Sequence, residues 1–370
     1  MDSKEAERDK DATSDLGLRT SDVPLENFSC PVPISPQEKV LLGHGSGGRL
    51  SAELLQKIFL PGFANPVLNT LNDQALVQVE GVRLAFTTDS FVVKPLFFPG
   101  GDIGSLAVNG TINDLAMGGA EPCYLSAAFI LEEGLPLETL RRVVESLGRA
   151  AAEAGVAVVT GDTKVVEKGK GDGLFINTSG IGRVLPGINL SADQARPGDA
   201  IILSGSIGDH GIAILSQREG LEFESPVVSD CAALHTLVAA MLEASPDIRC
   251  MRDPTRGGLS SALNEIAAQS HVSMELDESA IPVQEAVRGA CELLGLDPLY
   301  VANEGKLVAI VDARHADRIV AAMRAHPLGG QARVIGKVTA ANPGLVTIRT
   351  SLGTARIVDV LSGDQLPRIC

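Results

Sequence analysis

Tryptophan is absent from this 370-residue chain and tyrosine occurs only twice. Aromatic residues make up 3% of it, so the cores must be packed with Leu, Ile, Val and Ala instead of rings. Positive charge is also scarce. The 31 Lys and Arg face 46 Asp and Glu, and the net charge of −15 excludes a broad nucleic-acid-binding face, which needs clustered cations. A nucleotide stays compatible if metal ions intervene. No apolar run approaches the roughly 20 residues that span a bilayer, and residues 122–131 are bracketed by Glu121 and Glu132. The six cysteines, at 30, 123, 231, 250, 291 and 370, form no CxxC pair and no zinc spacing. The first residues are charged and show no secretory signal. Together these absences predict a cytoplasmic protein with reduced thiols.

Glycine, by contrast, is plentiful, with 39 residues marking tight turns or close backbone approaches, and hydrophobic residues reach 45%. At about 150 residues per domain, the length predicts two domains. Residues 1–35, rich in charge and then in proline, read as a disordered extension. Residues 36–185 read as an N-terminal domain, 186–361 as a C-terminal one and 362–370 as a tail. Both domains alternate strand patterns with helix patterns, so the predicted class is α+β, with two mixed α/β domains.

Chemistry concentrates at turns. Gly43 to Gly48, with Gly45 and Gly47 inside it, precedes a helical pattern and suits an anion at a helix N-terminus, although it lacks the P-loop ending. A flexible linker explains the same glycines. Asp73 stands before a predicted strand 75–79, and Asp89 is expected at the end of a strand 82–87. Asp114 lies late in a predicted helix 103–117. Asp162 follows Gly161 at the expected turn after a strand 156–160, with Lys164 beside it. Asp253 opens a helix N-terminus flanked by Arg252 and Arg256, two guanidiniums suited to phosphate. Each aspartate alone also reads as a turn or cap residue. Their recurrence at element ends points to carboxylates gathered for Mg²⁺ and substrate phosphates, an ATP–metal site. The sequence closes Pro367-Arg368-Ile369-Cys370, where proline breaks a helix and the last thiol is expected to be mobile.

With these residues assembled, the chain resembles the aminoimidazole-ribonucleotide-synthetase-like superfamily, and within it the hydrogenase-maturation carbamoyl dehydratase family. The resemblance runs from about Val40 to Cys370. It is carried by Gly43 to Gly48, Asp73-Gln74-Ala75, Thr87 to Ser90, Pro95 to Gly101, Gly161 to Lys164, Asp253 to Gly258, Asn303 to Leu307 and the closing Pro-Arg-Ile-Cys. The last of these is the specific one. What the resemblance implies is a homodimer that uses ATP and Mg²⁺, with the mobile tail delivering Cys370 into the site. A carbamoyltransferase partner would load carbamoyl onto that sulfur. ATP-driven dehydration would then yield a thiocyanate, whose cyano group passes to a scaffold complex for the iron of [NiFe]-hydrogenase. The resemblance assigns proton transfer to Lys164 and Glu304, and metal and nucleotide positions to Asp73, Asp89, Asp114, Asp162 and Asp253. Asn72 stands where some relatives carry an acid. Two rivals remain open: a selenophosphate or aminoimidazole ribonucleotide synthetase of the same superfamily, and a non-catalytic module whose tail docks a partner.

Overall fold

The computed structural model describes residues 39–221, 226–363 and 369–370. The expected disordered extension, Cys30, and Pro367-Arg368 of the tail lie outside them. Leu41–Cys370 forms one compact unit, whose described residues build two large sheets and one two-stranded sheet. Among the described residues no helix is long and apolar enough to cross a membrane.

After a 3₁₀ turn over Leu42–Gly45 come the short helix α1 (Arg49–Leu54), a π-helical turn (Leu55–Phe59) and α2 (Leu60–Phe63), none with a buried residue. The first lobe then builds β1 (Ala75–Val79), β2 (Val82–Phe91), the small pair β3 (Phe97–Phe98) and β4 (Gly101–Asp102), and α3 (Ile103–Met117). β5 (Ala120–Glu132), α4 (Leu137–Glu153), β6 (Ala157–Val166) and β7 (Leu174–Val184) complete it. Its sheet runs β1-β2-β7-β5-β6, antiparallel except for the β5/β6 pair, which α4 connects as a crossover. Asp102 starts α3 with a reciprocal cap: its carboxylate accepts from Gly104 and Ser105 N–H while the Ser105 hydroxyl takes the Asp102 N–H. α3 is buried along nearly all its length, between the sheet and the second lobe.

Strand alternation decides what each face of this sheet does. Ala85, Thr87 and Phe91 of β2 face α3, whereas Phe86, Thr88 and Ser90 face outward. The outward face stays open, with Phe86, Tyr124, Ile130, Val159 and Ile181 all exposed.

The second lobe comprises β8 (Ala200–Leu203), α5 (Asp209–Glu219), α6 (His235–Ala244), β9 (Ile248–Arg252), α7 (Gly258–Gln269) and β10 (Ser273–Asp277). α8 (Glu285–Leu294), β11 (Val308–Val311), α9 (Ala316–Ala325), β12 (Arg333–Thr339), β13 (Val346–Arg349) and β14 (Ala355–Ile357) follow. The sheet order is β14-β13-β10-β12-β8-β11-β9, with β10/β13 parallel. Ile201 and Leu203 pack toward α7, while Ala200 and Ile202 pack toward α6 and α9, so the uninterrupted apolar run of β8 is buried on both faces.

Three expectations change. The apolar residues around Tyr300 suggest a strand but form a 3₁₀ turn (Pro298–Tyr300) capped by Asp297, because the proline has no N–H for a ladder. β2 continues to Phe91, so Asp89 lies within a strand. β6 continues to Val166, so Asp162 and Lys164 are strand residues as well. Gly161 is no turn. It sits just past a bulge in the β5/β6 register, where a Cβ would collide with the Ala127 carbonyl oxygen. Gly161→Ala is therefore expected to lower the unfolding free energy by about 2 kcal/mol, read from the denaturant midpoint.

Candidate active site

Five side-chain carboxylates from five segments meet at one cavity of about 240 Å³, lined by Asp73, Thr88, Asp89, Ser90, Phe91, Gly110, Asp114, Asp253, Thr255, Arg256, Glu304 and Cys370. Asp73 precedes β1, Asp89 projects from β2 over Gly110 of α3, and Asp114 comes one helical turn further along α3. Asp253 and Arg256 stand between β9 and α7. A second cavity of about 180 Å³ shares Asp73, Asp253, Thr255 and Arg256 and adds Gly47, Arg252, Ser261 and Glu265. The turn ahead of α7 can come this close because Gly258 has φ +62°, a conformation that L side chains resist; a Cβ there would meet the Leu299 carbonyl oxygen at 2.5 Å.

The glycine loop fits over this helix start. Ser261 donates its hydroxyl to the Gly47 carbonyl at 3.1 Å, whereas Gly45 closes the preceding 3₁₀ turn with open space around it. Arg252 and Arg256 part company. Arg252 is committed to Asp73, to the Leu71 carbonyl at 2.6 Å and to Glu265 at 3.5 Å. Only Arg256 faces the cavity, among Cys370, Asp89, Glu304 and Asp114. The expectation of two guanidiniums for phosphate is corrected to one, because Asp73 and Glu265 neutralise the other.

Electrostatically the cavity is strained. Burial pushes Asp114 well above the usual carboxylate range, and the charges of Asp89, Asp253 and Asp73 push it further; the Thr87 hydroxyl, donating at 2.7 Å, only partly opposes this. Asp253 and Glu304 are likewise raised, first by burial and then by neighbouring acids. Asp73 and Asp89 are raised by burial against the pull of Arg252 and Arg256 respectively. Glu304 Oε1 is buried without a hydrogen-bond partner. Among the described residues no three acidic, His or Cys side chains converge closely enough to hold a metal ion alone, so the four cavity aspartates are not a preformed cage. Their chemistry still suits a hard cation that takes its remaining oxygens from phosphate and water.

Glu304 is held by residues that sequence reasoning missed. Its N–H donates to Asp230 at 3.0 Å, Asp230 also pairs with Lys306, and Asn113 of α3 donates to the Glu304 carbonyl at 3.3 Å. Asn303 accepts from Gly208 N–H and donates to the Pro254 carbonyl, joining the Gly205–Gly211 loop to the Asp253 turn. The signal for Asn113 was its adjacency to Asp114; Asp230 offered none. Asn72 points away from the cavity, tying Ser191 and the Ala192 N–H.

Ile369 and Cys370 are buried at the cavity wall. Burial pushes the Cys370 thiol up to about 12; Arg256 opposes this, and Glu304, Asp89 and Asp253 add to it. The thiol is therefore neutral where it lies, and its sulfur is a handle and not a nucleophile there.

Two expected site residues do not join. Asp162 and Lys164 lie on the open face of the first sheet, bonded to each other at 2.7 Å and mostly exposed. The Lys164 ammonium holds Asp162 below its ordinary pKa. Asp162 continues a cross-strand row from Ser90 through Asn177 and Ala128, which sets it three strand spacings, about 14 Å, from the cavity rim.

The AIR synthase related protein N-terminal domain matches residues 71–184, and its C-terminal domain matches 196–348. A protein named carbamoyl dehydratase HypE, from Azotobacter vinelandii, is 63% identical over 327 residues, covering 88% of this chain and 96% of its own. A solved structure of a HypE–HypF complex superposes with TM-score 0.80 at 48% identity, over 83% of this chain and 99% of that one. Another, of the hydrogenase maturation protein HypE in complex with ATP, gives TM-score 0.76 at 54% identity, over 90% and 100%.

Proposed function

We propose that this chain, which belongs to the carbamoyl dehydratase family of AIR synthase related proteins, uses ATP to dehydrate a carbamoyl group carried on Cys370 to a thiocyanate. The observation that carries this reading is the Cys370 sulfur at the wall of an acid-lined cavity beside Arg256 and Glu304. An amide oxygen leaves poorly, so it must first be phosphorylated. The carbamoyl oxygen attacks the γ-phosphorus and ADP departs. Loss of one N–H proton leaves an imidate phosphate. Loss of the second proton forms the C≡N bond as phosphate leaves with the oxygen.

Arg256 is the cation placed to stabilise charge on the transferred phosphoryl group. Asp73, Asp89, Asp114 and Asp253 would hold Mg²⁺ with phosphate oxygens and water, and the ion would offset the phosphate charge. Gly47 and the α7 N-terminus suit the remaining phosphates. Glu304, whose buried Oε1 has no hydrogen-bond partner and is open to a nearby N–H, serves as the base in the cavity.

Lys164 completes the proton traffic from a second copy of the chain. This part of the reading rests on the open, largely apolar face of the first sheet that carries Asp162 and Lys164 about 14 Å from the cavity rim, a face that a homodimer would cover. A carbamoyltransferase of the kind seen with the relative is the loading partner, and a scaffold complex in the cytoplasm accepts the cyano group for hydrogenase iron.

Mixed dimers test the shared site. Lys164→Ala and Asp89→Asn should each be inactive alone. Mixing them should restore about a quarter of wild-type ATP-dependent dehydration, since half the dimers are mixed and one of their two sites is intact. No restoration would place Lys164 outside the partner's site.

A further inference from the structure

We propose that His210 is a positioning residue that latches the Cys370 segment into the cavity by donating its Nε2–H to the Ile369 carbonyl, with Ser229 setting the ring's tautomer. This rests on the reading of Cys370 as the carrier.

Among the described residues, two hydrogen bonds hold Ile369 and Cys370, one from each lobe. Val92 N–H donates to the main-chain carboxylate of Cys370 at 3.1 Å from the end of β2, and His210 Nε2 lies 2.5 Å from the Ile369 carbonyl oxygen on the other side. The first is backbone to backbone, so only the second is under side-chain control. His210 is fully buried near the start of α5, with Phe98 edge-on at 5.5 Å between centroids. Its Nδ1 lies 2.8 Å from the Ser229 hydroxyl.

The direction of those bonds follows from Ile369, whose carbonyl oxygen can only accept, so Nε2 is the donor. Ser229 fits this arrangement: its oxygen accepts the Cys231 N–H at 3.1 Å and its own N–H goes to the Pro99 carbonyl at 2.8 Å, while its hydroxyl proton is free to reach Nδ1, which accepts. The ring proton is left on Nε2, aimed at Ile369. Burial holds the ring neutral, so that single N–H has one recipient. The bonded carbonyl precedes Cys370 directly, so the bond fixes the backbone from which the sulfur is aimed. When the segment leaves, a buried N–H loses its partner, and that loss favours the docked state.

The test is the alkylation rate of Cys370 by iodoacetamide at pH 8 in the purified full-length protein, read by mass of the C-terminal peptide. His210→Ala should react about tenfold faster, the worth of one buried hydrogen bond. Ser229→Ala should shift in the same direction by less. His210→Gln, whose amide N–H reaches the same place, should stay near wild type. Cys250 and Cys291, buried in separate parts of the second lobe, serve as an internal control and should not change. On enzyme already carbamoylated, dehydration by His210→Ala should slow about tenfold, while loading by the carbamoyltransferase should be no slower. The latch is overturned if His210→Ala alkylates Cys370 at the wild-type rate, if Gln behaves like Ala, or if Cys250 and Cys291 become reactive in parallel. The carrier reading falls separately, if Cys370→Ala still accepts carbamoyl.

Discussion

Cys370→Ala is expected to abolish both the carbamoyl adduct and its conversion to a product lighter by one water. The protein is incubated with its carbamoyltransferase, carbamoyl phosphate and ATP, and intact mass is followed. The expected loss is complete, because a covalent carrier has no substitute once its sulfur is removed. Among the other cysteines, Cys250 and Cys291 are buried in cores away from the cavity. Cys231 is also pushed above the ordinary thiol range by burial, and it lies against Asn109. The fold should be unaffected, since alanine keeps the main-chain carboxylate that accepts from Val92. If the variant shows the same adducts as wild type, the carrier assignment fails. The same experiment separates this chain from a selenophosphate or aminoimidazole ribonucleotide synthetase, neither of which needs a thiol at this position.

Asp114→Asn should stabilise the protein and stop its chemistry. Asp114 is pushed up by burial and by three neighbouring acids, so ionising it in the empty cavity costs folding energy. A carboxyl whose pKa is raised on folding contributes its stability below the unfolded pKa, near 4, and loses it as pH rises toward the folded value. Asp253 and Glu304 act in the same sense. Wild-type protein without ligands should therefore become less stable as pH rises above about 4. Asparagine removes the Asp114 share, so the variant's thermal midpoint at pH 7.5 should rise by about 3 °C and its decline with pH should flatten. Mg²⁺ with ATP should raise the wild-type midpoint but do little for the variant, and dehydration should fall by at least about 100-fold. A lower midpoint for Asp114→Asn would show that the carboxylate supports the fold, and retained dehydration would remove it from the phosphate site.

Much of this was legible from residue order. The helix over 103–117, the paired runs from Ala75 and Val82, and the buried run Ala200–Leu203 all follow from hydrophobic period. Asp73, Asp89, Asp114, Asp253 and Glu304 were named as one site and do line one cavity. Asp162 and Lys164 were named with them and sit elsewhere. The reason is local: Gly161 reads as a turn, but backbone crowding by Ala127 makes it a strand residue, and the strand carries its neighbours onto the open face.

The sequence by itself determined the inventory: which oxygens, guanidiniums and thiols exist, and which segments form strands and helices. These depend on neighbours within a few residues, where covalent geometry and side-chain period act. The tertiary structure alone decided which charges meet. Arg252 is neutralised by an aspartate 179 positions away while Arg256 is left for the cavity, and a buried histidine 159 positions from Ile369 holds its carbonyl. Such pairings are set by packing between lobes and by which side of a strand a residue occupies. A one-residue change in register would reverse the latter.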